Sequence, residues 1–349
     1  MGLQIDFRPG AVVVRSGNER LSCRIGLRAL AIGLALLVLC LMLGAVALAT
    51  GTYPISLAGV ADALSGNGEE MVRTVVTEWR LPRVMLALLL GAALGMSGAI
   101  FQSLTRNPLG SPDIIGFAAG SHSGALVVIL LFSGGYYETA AGAIAGGMAT
   151  ALAVYLLAWR GGVQGFRLIV VGIGISAMLG ALNAWMIRKA DLQVAMSAAV
   201  WSAGSLNGLG AGQLRPAALA LCLIVPPALL LSRPMRQLEL GEDAALASGI
   251  PVHAVRVCLM VLGVALTATV TASAGPIAFV ALAAPQIARR LTRSAGVTLL
   301  PSALTGSLLL LSADQAAQHA FATQLPVGVM TVSIGGLYFL WLIARQSRI

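Results

Sequence analysis

The sequence contains little charge for its length. Lys, Arg, Asp and Glu make up 10% of its 349 residues, whereas a soluble globular protein carries about 25%. Hydrophobic residues reach 58%, and the mean hydropathy is +0.90. This composition excludes an ordinary soluble domain and predicts an all-α polytopic membrane protein. The 41 glycines fit helices whose backbones pack closely inside a membrane.

Patterns that carry catalysis are missing as well. Lys189 is the only lysine, so the phosphate-binding pattern GxxxxGK[ST] cannot occur and the chain cannot itself be a P-loop ATPase. The three histidines are scattered and form neither an HExxH pattern nor a Ser/His/Asp arrangement suggested by spacing. We therefore expect no catalytic residue in this chain.

Cysteine chemistry is excluded on similar grounds. The sequence has no CxxC pair, and its four cysteines lie in or near hydrophobic segments, at Cys23, Cys40, Cys222 and Cys258. We expect neither a disulfide framework nor a metal site, and no cofactor bound by the chain itself.

Long apolar runs dominate what remains. A helix needs about 20 residues to cross the hydrocarbon core of a bilayer, which predicts about ten transmembrane helices. They cover residues 29–50, 82–104, 112–133, 138–158, 167–187, 216–232, 254–273, 276–293, 298–318 and 326–344. The eighth is expected to be short or partly re-entrant, because it opens with Gly-Pro and ends in a basic cluster. Residues 190–212 predict a short helix on the membrane surface.

The basic residues indicate the orientation. With residues 1–28 as a cytoplasmic N-terminal extension and 29–349 as the membrane domain, 16 of the 22 Lys and Arg residues fall inside and six outside. Such a bias favours both termini in the cytoplasm. It also accounts for the net charge of +9 without a nucleic-acid partner.

Two arginines contradict that bias. The stretch EWRLPR places Arg80 and Arg83 on the outer face, at the mouth of the second span. Pro82 suits a first helical turn, so we expect the helix to begin here, where the positive end of its dipole disfavours cations. A partner that carries carboxylates would explain both residues, and so would contact with lipid phosphate.

Ionisable residues within the spans are nearly absent. Asp314 lies near the outer end of the ninth span, and we expect it to make a structural cap or a hydrogen bond between helices, with a role in cargo passage as the alternative. Coupled carriers usually need buried carboxylates or histidines as relays. Their near absence favours a transporter whose energy is supplied from elsewhere.

Two cytoplasmic loops are patterned. Ser111-Pro112, within residues 103–117, predicts an N-cap and first-turn proline for the third span. Residues 233–256 predict a helix with Ala and Leu on one side, ended by Gly249 and Pro251. The charges of this loop cancel, which suits docking into a protein groove but also fits a merely solvated loop.

Three stretches resemble one family of transporters. They are EWRLPRVMLALLLGAALGMSGAIFQSLTRNPLGSPDIIGF at 78–117, LELGEDAALASGI at 238–250, and AGPIAFVALAAPQIARRL at 274–291 with QLPVGVMTVSIGGLYFL at 324–340. Together they resemble the permeases of iron-siderophore and vitamin B12 ABC importers. The resemblance extends from about residue 70 to the end of the sequence.

This resemblance implies a machine with several subunits. The fold would be the type II ABC importer fold of the vitamin B12 permease, with two permeases side by side in the bacterial inner membrane. Two separate ATPase subunits would bind ATP and Mg, and a periplasmic binding protein would deliver a ferric catecholate siderophore of the enterobactin kind. Another siderophore, haem or cobalamin are alternative cargoes. An ion-coupled secondary carrier is the rival class.

The resemblance also implies roles for particular residues. Arg80 and Arg83 match arginines that meet glutamates of the binding protein. The loop at about 233–256 matches the helices that couple to the ATPases, through Leu240, Gly241, Ala245 and Gly249. Spans five and ten would line the pathway, and helix packing is the alternative reading of their small residues. The pathway residues we expect are Gly172, Gly174, Ser176, Asn183, Thr331 and Ser333.

Overall fold

The computed structural model describes residues 3–8, 11–16, 22–113, 116–159, 165–321 and 323–346. The predicted N-terminal extension, residues 1–28, therefore lies partly outside the described residues.

Helices make up nearly all of the described chain. After three short strands, β1 (Leu3–Arg8), β2 (Ala11–Ser16) and β3 (Ser22–Gly26), fifteen α-helices and one π-helix follow within the described residues. They are α1 (Leu27–Ala49), α2 (Leu57–Leu64), α3 (Glu70–Thr74), the π-helix (Val75–Arg80), α4 (Leu81–Thr105), α5 (Phe117–Phe132), α6 (Tyr136–Ala158), α7 (Gly165–Lys189), α8 (Leu192–Ser202), α9 (Ala211–Leu230), α10 (Ser232–Glu239), α11 (Glu242–Ala247), α12 (Val252–Ala274), α13 (Val280–Thr292), α14 (Leu299–His319) and α15 (Val327–Gln346).

The strands form an antiparallel sheet in the order β1-β2-β3, with Leu3 opposite Ser16 and Ala11 opposite Gly26. The expectation of an all-α chain is therefore wrong at this end. The sequence of β2, AVVVRS, is rich in β-branched residues, which favour strands. This local preference for a strand is effective even though the extension as a whole is polar and basic.

Each predicted span coincides with a helix. Among the described residues, six helical segments are long and apolar enough to cross a bilayer, namely Leu27–Ala49, Glu70–Thr105, Tyr136–Ala158, Phe166–Lys189, Ala211–Leu230 and Val252–Ala274. The helices α5, α13, α14 and α15 cover the other four predicted spans but are shorter or less apolar. The chain is thus a multi-pass helical membrane protein, and the total of ten crossings stays a prediction.

Some boundaries differ from the prediction. The third span begins at Phe117, after Gly116 in a left-handed conformation, so Ser111-Pro112 does not open it. The eighth span is short, as expected, because α13 has 13 residues and rises only about 20 Å. The short helix predicted within 190–212 is α8, and its location on the membrane surface stays a prediction. The single helix predicted within 233–256 is two helices, α10 and α11.

The core of the protein is built around α4. In the segment Glu70–Thr105, 78% of the most apolar stretch is buried, against 17% in α1 and α9. The antiparallel helix α14 packs along α4, and α12 and α13 cover its other sides. Gly91 and Gly306 permit a close approach, because a Cβ added to Gly91 would lie 2.5 Å from the Gly306 carbonyl oxygen. Helices in membranes use small residues in this way to bring their backbones together.

Candidate functional site

The prediction that the helix carrying Arg80 and Arg83 begins at Pro82 is wrong. The segments α3 and the π-helix lead into α4 without a break, so the helical chain starts at Glu70. Arg80 lies ten residues further along, roughly 15 Å from that terminus. The dipole effect is confined to the first turn, so the predicted penalty for these cations does not apply.

Arg80 crosses from the π-helix to the end of α1. Its Nη1 donates to the Leu48 carbonyl oxygen at 2.8 Å, and its Nη2 donates to the Tyr53 carbonyl oxygen at 2.6 Å. Both acceptors are neutral. Among the described residues no carboxylate pairs with Arg80, so its positive charge is hydrogen-bonded but not neutralised.

Arg83 has a different environment. Its Nε donates to Asp314 Oδ2 at 3.0 Å and its Nη2 to Asp314 Oδ1 at 2.8 Å, which forms a two-point ion pair between α4 and α14. The same Nη2 donates to Asn207 Oδ1 at 2.6 Å, and Gln318 Nε2 donates to Asp314 Oδ2 at 2.8 Å. The predicted hydrogen bond between Asp314 and another helix is therefore confirmed, with Asp314 as the acceptor.

Both arginines line one hollow of about 190 Å³ at this end of the bundle. Tyr53 and Trp79 line it too, and the Trp79 side chain is 63% exposed. Exposed Trp, Tyr and Arg are enriched where proteins bind each other most tightly. Sequence reasoning missed both aromatic residues, although Trp79 stands inside the EWRLPR stretch.

The opposite end of α4 contacts a helical hairpin formed by α10 and α11. Arg106, which follows α4, donates from Nη2 to the Leu238 carbonyl oxygen at 2.9 Å. Since α4 has 25 residues, its two ends lie about 37 Å apart. The arginine-lined hollow and the hairpin therefore occupy opposite ends of the bundle.

The four predicted coupling residues divide between the surface and the interior of this hairpin. Leu240 at its tip is 72% exposed, whereas Ala245 is fully buried. Gly241 has a φ of +127°, which side-chain-bearing residues rarely adopt, and a Cβ added there would meet nothing within 4 Å. Gly249 follows α11 with a φ of +78°. An ion pair between Arg256 and Glu242 fastens α11 to the next helix.

The six predicted pathway residues also divide. Gly174 and Ser333 lie on exposed faces of α7 and α15, and Ser176 is half-buried. Gly172 and Thr331 are buried, and Thr331 donates to the Gly328 carbonyl oxygen of its own helix at 3.0 Å.

Asn183 is held inside the protein by two contacts with α5. Its Oδ1 accepts from Ser123 Oγ at 2.7 Å, and its Nδ2 donates to the Ala119 carbonyl oxygen at 3.3 Å. These bonds tie α7 to α5, so in the isolated chain Asn183 has a packing role.

A second hollow, of about 560 Å³, is lined by α8, the loop after it and the end of α12. Trp201 and Met196 supply apolar walls, and Asn207 supplies a polar one. Asn207 is also the residue that accepts from Arg83. The two hollows are thus joined through one hydrogen bond.

A bundle of long apolar helices, with an arginine-lined hollow at one end and a helical hairpin at the other, defines an integral multi-pass membrane protein of the permease class. The chain belongs to the FecCD transport family, whose pattern it matches over residues 36–345.

Two relatives of the chain are transport system permease proteins. It is 51% identical to the ferric enterobactin transport system permease protein FepG of Escherichia coli (strain K12) over 310 residues, which cover 88% of this chain and 94% of FepG. It is 37% identical to the achromobactin transport system permease protein CbrC of Dickeya dadantii (strain 3937), with 90% of each chain covered.

Solved structures agree with this assignment. An inward-facing ABC transporter described as of the metal-chelate type superposes on the chain with a TM-score of 0.79 at 27% identity, covering 90% of this chain and 99% of the other. The chain is therefore a permease subunit of the ABC importer type.

Proposed function

We propose that this chain moves a ferric catecholate siderophore of the enterobactin kind from the periplasm to the cytoplasm. The observation that supports this cargo is the 51% identity to a ferric enterobactin permease along almost the whole length of both chains. The chain is also 37% identical to the achromobactin permease, so a different siderophore is the second candidate cargo.

The energy for transport comes from separate subunits in this proposal. Two ATPase subunits bind ATP and Mg, and the chain itself contributes no cofactor and no catalytic residue. Iron enters only as part of the cargo. The exposed tip of the α10–α11 hairpin supports a role as the element that the ATPases hold, since Leu240 presents apolar surface that a protein groove would cover.

A second, homologous permease completes the pathway in this proposal. The exposed faces of α7 and α15 support this partner, because they carry apolar side chains such as Ile173 and Leu337 next to Gly174 and Ser333. Cargo would pass between the two subunits along these weakly polar faces. A lining without strong ligands permits release as well as binding.

A periplasmic binding protein docks on Arg80 and Arg83 in this proposal. Arg80 gives the stronger support, because its charge has no carboxylate partner among the described residues and lies beside an exposed tryptophan. This role requires the arginine end to face the periplasm and both termini to face the cytoplasm of a bacterial inner membrane. The count of 16 basic residues inside against six outside supports that orientation.

The cargo is tested by uptake. A strain that lacks this chain, with or without a plasmid copy, is supplied with ⁵⁵Fe as ferric enterobactin, ferric achromobactin, a ferric hydroxamate or haem. We expect only ferric enterobactin uptake to depend on the plasmid copy. Dependence on another iron source alone would reject the proposed cargo but not the importer class. Uptake that survives loss of the ATPase and collapses with an uncoupler would reject the class.

Docking is tested by charge reversal. In the assembled transporter, Arg80→Glu should reduce the affinity for the cargo-loaded periplasmic binding protein at least tenfold, because attraction becomes repulsion at a contact between charges. Arg73→Glu is a matched control on the same face, since Arg73 is exposed and lies in the preceding helix. An equal, small effect of both substitutions would contradict the docking role.

A further inference from the structure

Arg83 and Arg80 differ in what an incoming carboxylate would meet. At Arg80 it would meet a cation whose neighbours are neutral carbonyl groups. At Arg83 it would meet a cation that Asp314 already neutralises through two hydrogen bonds. The side chains of this pair are only 17% and 2% exposed, respectively.

The hydrogen bonds of Arg83 join three separate parts of the chain. Asp314 lies on α14, Asn207 lies in the loop after α8, and the arginine itself lies on α4. Gln318, one turn beyond Asp314, donates to the same carboxylate and fixes its position. These bonds use Nε and Nη2, so an outside carboxylate can contact Arg83 through Nη1 while they persist, but it can bind two nitrogens at once only if Asp314 or Asn207 gives up its bond.

We propose that Asp314 is a positioning residue that competes with the docking partner for Arg83. Arg80 provides the first attraction for an acidic group of the binding protein. Arg83 stays paired with Asp314 until a carboxylate of the partner displaces that residue. Transfer of Arg83 to the partner breaks its bond with Asn207, which forms part of the wall of the 560 Å³ hollow. Docking is thereby linked to the loop after α8. This inference depends on the docking role proposed above.

Competition predicts an increase in affinity when the internal carboxylate is removed. Asp314→Asn keeps the size of the side chain and deletes its charge. Docking of the purified periplasmic binding protein, loaded with ferric enterobactin, to the transporter in nanodiscs should become about tenfold tighter. The gain should depend on salt concentration, and it should disappear in the double variant Asp314→Asn/Arg83→Gln.

Asp62→Asn is the matched control. It removes the same charge from an exposed position in α2, on the same face of the protein, and it should leave the docking affinity unchanged. Asn207→Ala provides a second variant in case Asp314→Asn does not assemble. It removes one acceptor of Arg83 without changing any charge, and it should tighten docking by a smaller factor.

A purely structural ion pair gives the opposite result. Asp314→Asn would then lower the thermal stability of the transporter and leave docking unchanged or weaker, and this outcome would overturn the proposal. The Arg80→Glu variant distinguishes a failure of the competition proposal from a failure of the docking role. If it abolishes docking while Asp314→Asn fails to tighten it, only the competition is rejected. If Arg80→Glu has no effect either, the docking role itself is rejected.

Discussion

The contact between α4 and α14 offers the sharpest test of the packing. A Cβ placed on Gly91 would lie 2.5 Å from the Gly306 carbonyl oxygen and 2.8 Å from the Ser307 Cα. Carbon atoms in van der Waals contact are about 3.5–4.0 Å apart. The substitution Gly91→Ala would therefore force the two helices apart by roughly 1 Å.

The energetic effect of that separation can be estimated. Overpacking in a well-packed interior destabilises a protein by about 1–3 kcal/mol. The hydrogen bond from Ser307 Oγ to the Leu88 carbonyl oxygen, 2.6 Å long, would lengthen as well, and such a bond contributes about 1 kcal/mol. We expect the melting temperature in detergent to fall on the order of 5 °C, and further for Gly91→Val.

Gly33→Ala provides the control, because a Cβ at Gly33 in α1 meets nothing within 4 Å. It should leave the melting temperature unchanged or raise it slightly, since alanine favours a helix over glycine. If Gly91→Ala and Gly33→Ala melt at the same temperature, the close approach of α4 and α14 is not a source of stability. The estimate would then be wrong.

Three further predictions concern the hairpin, the pathway helix and the orientation. Gly241→Val should reduce siderophore uptake severalfold while ATP hydrolysis continues, because valine does not tolerate a φ of +127°; normal uptake would contradict a coupling role for the hairpin. Asn183→Ala should destabilise the protein by about 1 kcal/mol, because it removes two hydrogen bonds between α7 and α5, whereas Ser333→Ala, on an exposed face, should not; equal melting temperatures would reject the packing role. In a cysteine-free background, an impermeant thiol reagent should label Glu78→Cys in spheroplasts and Ser248→Cys only after lysis, and the reverse pattern would invert the topology.

The helices were largely predictable from the sequence, because a bilayer-spanning helix must satisfy its own backbone hydrogen bonds and requires a long apolar run. The polar helical residues that precede the apolar run of α4 were not predictable in this way. Residues 70–80 contain Glu70, Arg73 and Glu78, so no apolar run marks them, and the start of the helix was placed a dozen residues too late. The break at Gly241 was missed because a single glycine does not by itself end a helical pattern.

The candidate site was predictable only in part. Arg80 and Arg83 are predictable because the charge bias assigns them to the outer face, against the general trend, and this is a local signal. The partner of Arg83 is 231 residues away in the sequence, and no local pattern can pair residues at that distance. The aromatic residues of the arginine-lined hollow could have been found, since a tryptophan between charged residues at a membrane boundary is a common anchor.

The glycine contact and the ion pair are two parts of one arrangement. Gly91 follows Arg83 by eight residues along α4, and Gly306 precedes Asp314 by eight residues along the antiparallel α14. The register in which the two glycines meet therefore also places Arg83 opposite Asp314, a little over two turns nearer the arginine-lined end. A displacement at the glycines would separate the ion pair, so the packing of the core sets the geometry of the end where we propose docking. For this reason Gly91→Ala should change docking as well as stability, and in the direction of Asp314→Asn if Asp314 competes for Arg83.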